Sequence, residues 1–456
     1  MITATSLGNS EFKADYAIKY AYVAGAMYKG IASKELVVAM GKAGLIGYFG
    51  TGGLRLEEVE SSIRYIQSEL STGAGRSYGM NFLSNPESPE TEERTVDIYL
   101  RHGVRCVEAA AFIRMTPSLV RYRLKGITPD PARGATAANR ILAKVSRPEI
   151  ASAFMQPPPE AIVRDLVTSG RLSQREADLA HLIPMADDIC VEADSGGHTD
   201  RGVAYALMPA MLTLRDEMMA KYHYGRRIRV GAAGGIGTPQ AAAAAFVMGA
   251  DFILTGSINQ CTREAGTSDS VKALLQQLDV QDTAHAPAGD MFELGAKVQV
   301  VRRGLFFPGR ANKLYELYTR HDSLDEIDAA TRRQIEQKYF KRSFDQVWEE
   351  TKNHYAKANP RKLTEIERSP KQKMAAMFRW YFVHTTRLAL NGIEEQKVDY
   401  QIHCGPALGS FNQWVKGTSM EPWQNRHVAD IAERVMCGTA DVLNARFGAM
   451  SGAQDR

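Results

Sequence analysis

Cysteine is scarce in this 456-residue chain. The five present, Cys106, Cys190, Cys261, Cys404 and Cys437, include no CxxC pair. An odd number without such spacing argues against a disulfide framework and fits reduced thiols; no metal is expected. A strong charge of one sign is lacking too. The net charge is +4, too small to imply nucleic-acid binding by itself. Residues 1–20 hold no apolar h-region, and no apolar run is long and uncharged enough to span a membrane. A cytoplasmic protein with neither membrane nor nucleic acid as partner is the expectation. Also missing is a GxGxxG after the first predicted strand, which counts against an open dinucleotide-binding sheet.

What is present is glycine in two telling places. Ala232-Ala233-Gly234-Gly235-Ile236 follows the apolar run Arg227-Ile228-Arg229-Val230, and Leu254-Thr255-Gly256-Ser257 ends the run Asp251-Phe252-Ile253-Leu254. One helix is predicted between them, with Thr238 as its cap, Pro239 at its first position and Gly249 at its end. Glycine lets backbone N–H groups approach an anion without a Cβ in the way. The pair reads as a phosphate site; two ordinary βα turns would look the same.

Counting strands sharpens this. Short apolar runs recur at Tyr22–Met27, Leu45–Phe49, Tyr78–Phe82, Arg105–Ala109, Ile141–Val145, Asp188–Ala193, Ile228–Ala232 and Phe252–Thr255, with helical stretches such as Ser33–Lys42, Arg55–Glu69 and Pro89–His102 between them. They mostly lack alternation, as parallel strands buried on both faces should. Eight βα units predict an α/β protein with a (β/α)8 TIM barrel over 1–267. The glycine segments then follow strands 7 and 8, where such barrels usually bind phosphate. Beyond residue 268 the texture becomes helical and basic. Residues 301–380 hold 18 Lys+Arg against 11 Asp+Glu, a surplus of seven. Leu324–Tyr339 and Phe344–Tyr355 read as amphipathic helices. A solvated face explains that charge as well as a dock for an acidic partner does. The expected division is the barrel, a mainly helical substrate subdomain at 268–420 inserted after strand 8, and a closing segment at 421–456 whose helix, Trp423–Phe447, packs back on the barrel.

Three side chains stand out. His198 ends Ser195-Gly196-Gly197-His198 after the sixth strand, at the barrel's C-terminal mouth, where a proton donor near neutral pH is useful. Lys144 sits inside an apolar strand, where burial is expensive unless an anionic group meets it. Asn81 ends the third strand; asparagine also does so for turn reasons alone.

Ala24-Gly25-Ala26-Met27, Gly79-Met80-Asn81, Ser195-Gly196-Gly197-His198, Ala233-Gly234-Gly235-Ile236 and Gly256-Ser257 occur in the order found in the flavin-dependent nitronate monooxygenase and enoyl reductase barrels. The segments 292–300, 307–318 and 404–412 narrow this: the chain resembles the PfaD-type trans-acting enoyl reductases of polyketide and polyunsaturated fatty acid synthases. The resemblance implies FMN, its phosphate on Gly234, Gly235, Gly256 and Ser257 and its ring along Gly25, Ala26 and Met27. Asn81 and Lys144 would meet the ring's polar edge or ribityl chain, Gly196 would line the ligand, and His198 would stand near the substrate. One departure is that Gly25-Ala26-Met27 replaces the Ala-Pro-Met usual in simpler monooxygenases.

The activity so implied is NADPH-dependent saturation of an α,β-unsaturated thioester, with His198 as general acid or oxyanion donor. The substrate would arrive on an acyl carrier protein, with synthase modules or an acyltransferase as further partners; exposed apolar helix faces would point to a homodimer. The rivals are a nitronate monooxygenase on the same barrel, a flavin-free isomerase or aldolase taking a sugar phosphate, and a non-catalytic carrier-protein scaffold. The long basic C-terminal region separates the first of these from a reductase.

Overall fold

Parallel strands too short to stand alone become stable here by closing on themselves. A computed structural model describes residues 1–71, 77–86 and 88–450. Its barrel strands are β1 (Tyr22–Ala24), β2 (Ile46–Phe49), β3 (Gly79–Leu83), β4 (Cys106–Ala110), β5 (Arg140–Val145), β6 (Asp188–Glu192), β7 (Arg229–Ala233) and β8 (Ile253–Thr255). Each pairs in parallel with its chain neighbours, and β8 closes the ring on β1 through Tyr22↔Ile253 and Ala24↔Thr255. The expected TIM barrel is thus the fold. The side chains of Val23, Ile46, Tyr48, Leu142, Cys190 and Leu254 fill its core together with Phe12 and Tyr16 from the N-terminal helix.

β1 ends three residues earlier than its apolar run suggests. The Gly25 N–H still bonds Thr255 O on β8, at 3.0 Å. The Ala26 N–H instead donates to the Glu108 carboxylate at 3.0 Å, so a side chain replaces the ladder there. The helix after β7 runs Pro239–Val247, with the Thr238 hydroxyl accepting from the Ala241 N–H at 3.3 Å. Small residues on it admit the last helix, Val428–Met450: a Cβ on Gly438 would lie 2.7 Å from Pro239, and Thr439 Oγ1 donates to Pro239 O at 3.4 Å. Asn444 on the last helix bonds both the N–H and the C=O of Ile2.

The chain forms two compact units. One comprises residues 1–194, 200–266 and 410–456; the other comprises 195–199 and 267–409. The sequence reading instead set the second region at 268–420 and left 195–199 with the barrel. The second unit carries a three-stranded antiparallel sheet that the helical reading of this region did not anticipate. It consists of β9 (Thr283–Pro287), β10 (Lys297–Val301) and the two residues Gly197–His198, paired with β10 through Val298↔His198 and Gln299↔Gly197. The helix Pro370–Asn391 supplies Met374, Phe378, Tyr381 and Phe382 to this unit's core, against Phe292, Phe307 and Leu314. The predicted helix Leu324–Tyr339 is broken into a 3-10 turn, Leu324–Glu326, an α-helix, Ala329–Gln334, and a π-helical turn, Ile335–Phe340. Asp328 causes the break by capping a new helix, accepting from the N–H groups of Ala330 and Thr331 at 3.1 and 2.9 Å. Among the described residues no helix is long and apolar enough to cross a membrane.

Candidate active site

The ends of β7 and β8 present backbone rather than side chains. Gly234 and Gly235 take successive left-handed conformations, φ +86° and +73°. Only glycine does this without strain, and the resulting turn points N–H groups in one direction. At Gly234 the need is doubled, since a Cβ would lie 2.6 Å from Ala193 O. At Gly235 and Gly256 a Cβ would meet nothing within 4 Å. These two positions flank open space at the ends of adjacent strands, paired last through Ala233↔Leu254. A side chain there would occupy space that the bare backbone leaves open. Gly256 is followed directly by the short helix Ser257–Gln260. Gly25 has a packing reason of its own: its Cβ would lie 2.5 Å from Leu254 Cδ2.

Lys144 on β5 has found its anions within the barrel. Its Nζ lies 3.2 Å from Glu192 Oε1 and 3.8 Å from Glu108 Oε1. Burial alone would favour the neutral amine, but the Glu192 and Glu108 carboxylates outweigh it and hold the ammonium charged. Burial pushes the Glu108 carboxyl above its usual range, against the pull of Lys144 and of the Ala26 N–H. Glu108 thus joins β4, β5 and the Ala26 backbone after β1. Asn81 serves the same strand: its side-chain amide donates to the Glu108 backbone O at 3.0 Å, and its own backbone carbonyl accepts from Thr51 Oγ1 and the Tyr99 hydroxyl.

His198 belongs to the second unit. Its Nε2 lies 2.9 Å from Asp290 Oδ1, and the two side chains are 50% and 64% exposed. Burial works to raise the Asp290 carboxyl, but the hydrogen bond and charge of His198 outweigh it and hold it below its usual range. His403, bonded through Nε2 to the Gln401 amide at 2.8 Å, is driven down to about 4 by burial, with the charge of His198 as a second cause. The Gly196 backbone is packed against Cys404 and Gly405; a Cβ would lie 2.8 Å from Gly405 N.

Gly25, Ala26, Met27, Asn81, Lys144, Gly234, Gly235, Gly256 and Ser257 therefore fall in the barrel unit, and Gly196 and His198 in the other. The sequence reading missed Glu108, Glu192, Asp290 and His403. The two glutamates carried a usable signal: each interrupts an apolar strand, the reasoning already applied to Lys144. Asp290 carried none, since it lies 92 residues from its partner. Among the described residues no group of His, Cys, Asp and Glu is arranged to hold a metal.

Comparison with known proteins adds the following. Residues 321–400 match the family described as acyl-carrier-protein S-malonyltransferase, inserted helical domain. The crystal structure of the enoyl reductase domain of MlnA, from the macrolactin biosynthesis cluster of Bacillus amyloliquefaciens, is similar with a TM-score of 0.94 and 46% identity. That match covers 98% of this chain and 99% of that domain. Polyketide biosynthesis protein PksE of Bacillus subtilis is 58% identical over 449 residues, 98% of this chain and 58% of that protein. A polyunsaturated fatty acid synthase polypeptide of a Thraustochytrium species is 43% identical over 424 residues, 92% of this chain and 28% of that protein. The chain thus spans little more than half of the first of these two curated relatives and less of the second.

Proposed function

The chain belongs to the PfaD-type trans-acting enoyl reductases of polyketide and polyunsaturated fatty acid synthases, and from that premise we propose that it uses FMN and NADPH to saturate the α,β double bond of enoyl thioesters borne on an acyl carrier protein. The observation that carries this reading is the pair of open glycine positions, Gly235 and Gly256, at neighbouring barrel strand ends. When bound there, FMN supplies a two-electron carrier between a nicotinamide and a carbon acceptor.

The chain's own residues have separate tasks. N–H groups at Gly234, Gly235, Gly256 and Ser257 hold the phosphate. Lys144 is shared by two carboxylates, so it offers an oriented N–H donor more than a net positive charge. Glu108 fixes that donor and the Gly25–Met27 backbone in one register. His198 acts on the thioester as its β-carbon is reduced, either as the general acid for the α-carbon or as the donor to the oxygen on which charge builds.

A small acidic carrier protein suits the basic residues of 301–380, and the malonyltransferase helical domain matched at 321–400 has a name that includes the same carrier. Not every cation there is available. Lys341 pairs with Asp399 at 3.5 Å and Arg342 with Glu350 at 2.9 Å, whereas Arg333 and Lys338 are exposed. We therefore place docking on the latter pair.

The test is an absorption spectrum of the purified protein followed by two assays. A flavin band, with NADPH oxidised only when crotonyl-pantetheine is added, supports the reading. A colourless protein that gains no flavin on reconstitution, or oxygen uptake driven by a nitroalkane instead, overturns it. The double variant Arg333→Glu/Lys338→Glu should raise KM for carrier-bound crotonate and leave crotonyl-pantetheine turnover unchanged; equal loss on both removes the docking assignment.

A further inference from the structure

His198 is a half-exposed histidine held at one nitrogen by a carboxylate, on a strand that fixes its backbone. The strand residues Gly197 and His198 pair with Gln299 and Val298, so the imidazole projects from a set register. Asp290, from the turn between β9 and β10, meets Nε2 at 2.9 Å. The other titratable neighbour is His403, whose Nδ1 side faces Gly197 and whose Nε2 is tied to Gln401. Burial keeps His403 neutral above about pH 4, so it adds little competing charge near neutrality. Lys297 on β10 carries the nearest strand cation, and its ammonium lies over the Tyr315 ring at 4.8 Å.

A neutral imidazole can donate one hydrogen bond, whereas an imidazolium donates from both nitrogens. A carboxylate at one nitrogen favours the doubly protonated form. We propose that Asp290 is the positioning residue that keeps His198 as an imidazolium, making His198 a general acid rather than a neutral oxyanion donor. The inference rests on the reading of His198 as the donor in enoyl reduction. The nitrogen bonded to the carboxylate keeps its proton, so the proton delivered is the one on Nδ1. In that step the Nδ1–H bond breaks and the electron pair of the thioester enolate forms a C–H bond at the α-carbon. Neutral imidazole remains and is reprotonated by solvent.

The experiment follows the His198 ring resonance through a pH titration of the full chain carrying 13C-labelled histidine, with His198→Asn used for assignment. Asp290→Asn should lower the His198 midpoint by about one pH unit, and Asp290→Glu should restore most of it. With NADPH and crotonyl-pantetheine, the alkaline limb of kcat should move down by the same amount. Rates would then be close at the acid end and about tenfold lower in Asp290→Asn above both midpoints. Matching melting temperatures confine the comparison to folded protein. An unmoved midpoint in Asp290→Asn, with His198→Asn inactive, overturns the role of Asp290 alone. A fully active His198→Asn overturns the functional reading of His198 and the acid role with it.

Discussion

The barrel and the helical unit treat ionisable groups in opposite ways. In the barrel, Lys144 is enclosed and matched by two carboxylates, one of them 1% exposed. In the other unit, His198 and Asp290 form one pair in contact with solvent. A buried charge is stable only while all its partners are present, so the first arrangement is rigid and intolerant of change. A solvent-facing pair costs little to rearrange, and its protonation can follow the medium. The barrel unit thus holds its ionised groups in one geometry, and the helical unit leaves its pair open to the medium.

The largest expected effect breaks the barrel half of this contrast. Lys144→Met should destabilise the protein by about 3 kcal/mol or more, because Glu108 loses its buried counter-charge. Urea denaturation measures it, and adding Glu108→Gln should recover part of the loss. A loss below about 1 kcal/mol would show that the triad is less enclosed than its contacts imply.

The next effect belongs to pH. His403 has its folded midpoint depressed to about 4. Between there and its ordinary value near 6.5 the unfolded chain binds a proton that the folded chain does not, so stability falls as pH drops through this window. The loss should approach about 3 kcal/mol at most, and His403→Gln should flatten it. The Lys144 midpoint is shifted upward, so its contribution is full below about pH 10.5 and fades only above that. Thermal melts from pH 4 to 7 on both proteins decide whether His403 carries the acid sensitivity.

Two glycines sharpen the contrast between holding a ligand and holding the fold. Gly234→Ala should cost about 2 kcal/mol, since it clashes with Ala193 O at a left-handed position. Gly256→Ala should cost under about 0.5 kcal/mol yet weaken FMN binding about tenfold, seen by fluorescence titration. Last in size, Asp290→Asn should change stability by less than about 0.5 kcal/mol at a pH above the His198 midpoint, where the imidazole is neutral.

The barrel was legible because parallel buried strands write themselves as apolar runs, and β7 with its capped helix appears nearly as read. The end of β1 was not, because the residue that diverts Ala26 is Glu108, distant in sequence. Lys144 was found by the cost of burying it; the same reasoning applied to Glu108 and Glu192 would have completed the triad. The sheet of the second unit was missed because the apolar residues of Thr283–Pro287 are alanines and a proline, poor strand formers, and one of its strands is only two residues long. Asp290 lies outside any local pattern, and only the folded chain brings it to His198.

The five residues 195–199 alter how this protein can be made and taken apart. The chain passes between its units four times, at 194/195, 199/200, 266/267 and 409/410. The pairing of His198 with Val298 joins positions one hundred residues apart. Such long-range pairing forms late, so completion of the second unit's sheet waits on a loop that belongs in sequence to the barrel. Residues 267–409 expressed alone would leave β10 without its partner there, uncovering the Lys297 C=O that accepts from the Thr199 N–H at 3.2 Å. An edge of that kind recruits strands from other molecules. Cutting the chain at 266/267 and 409/410 alone should therefore yield an aggregating fragment.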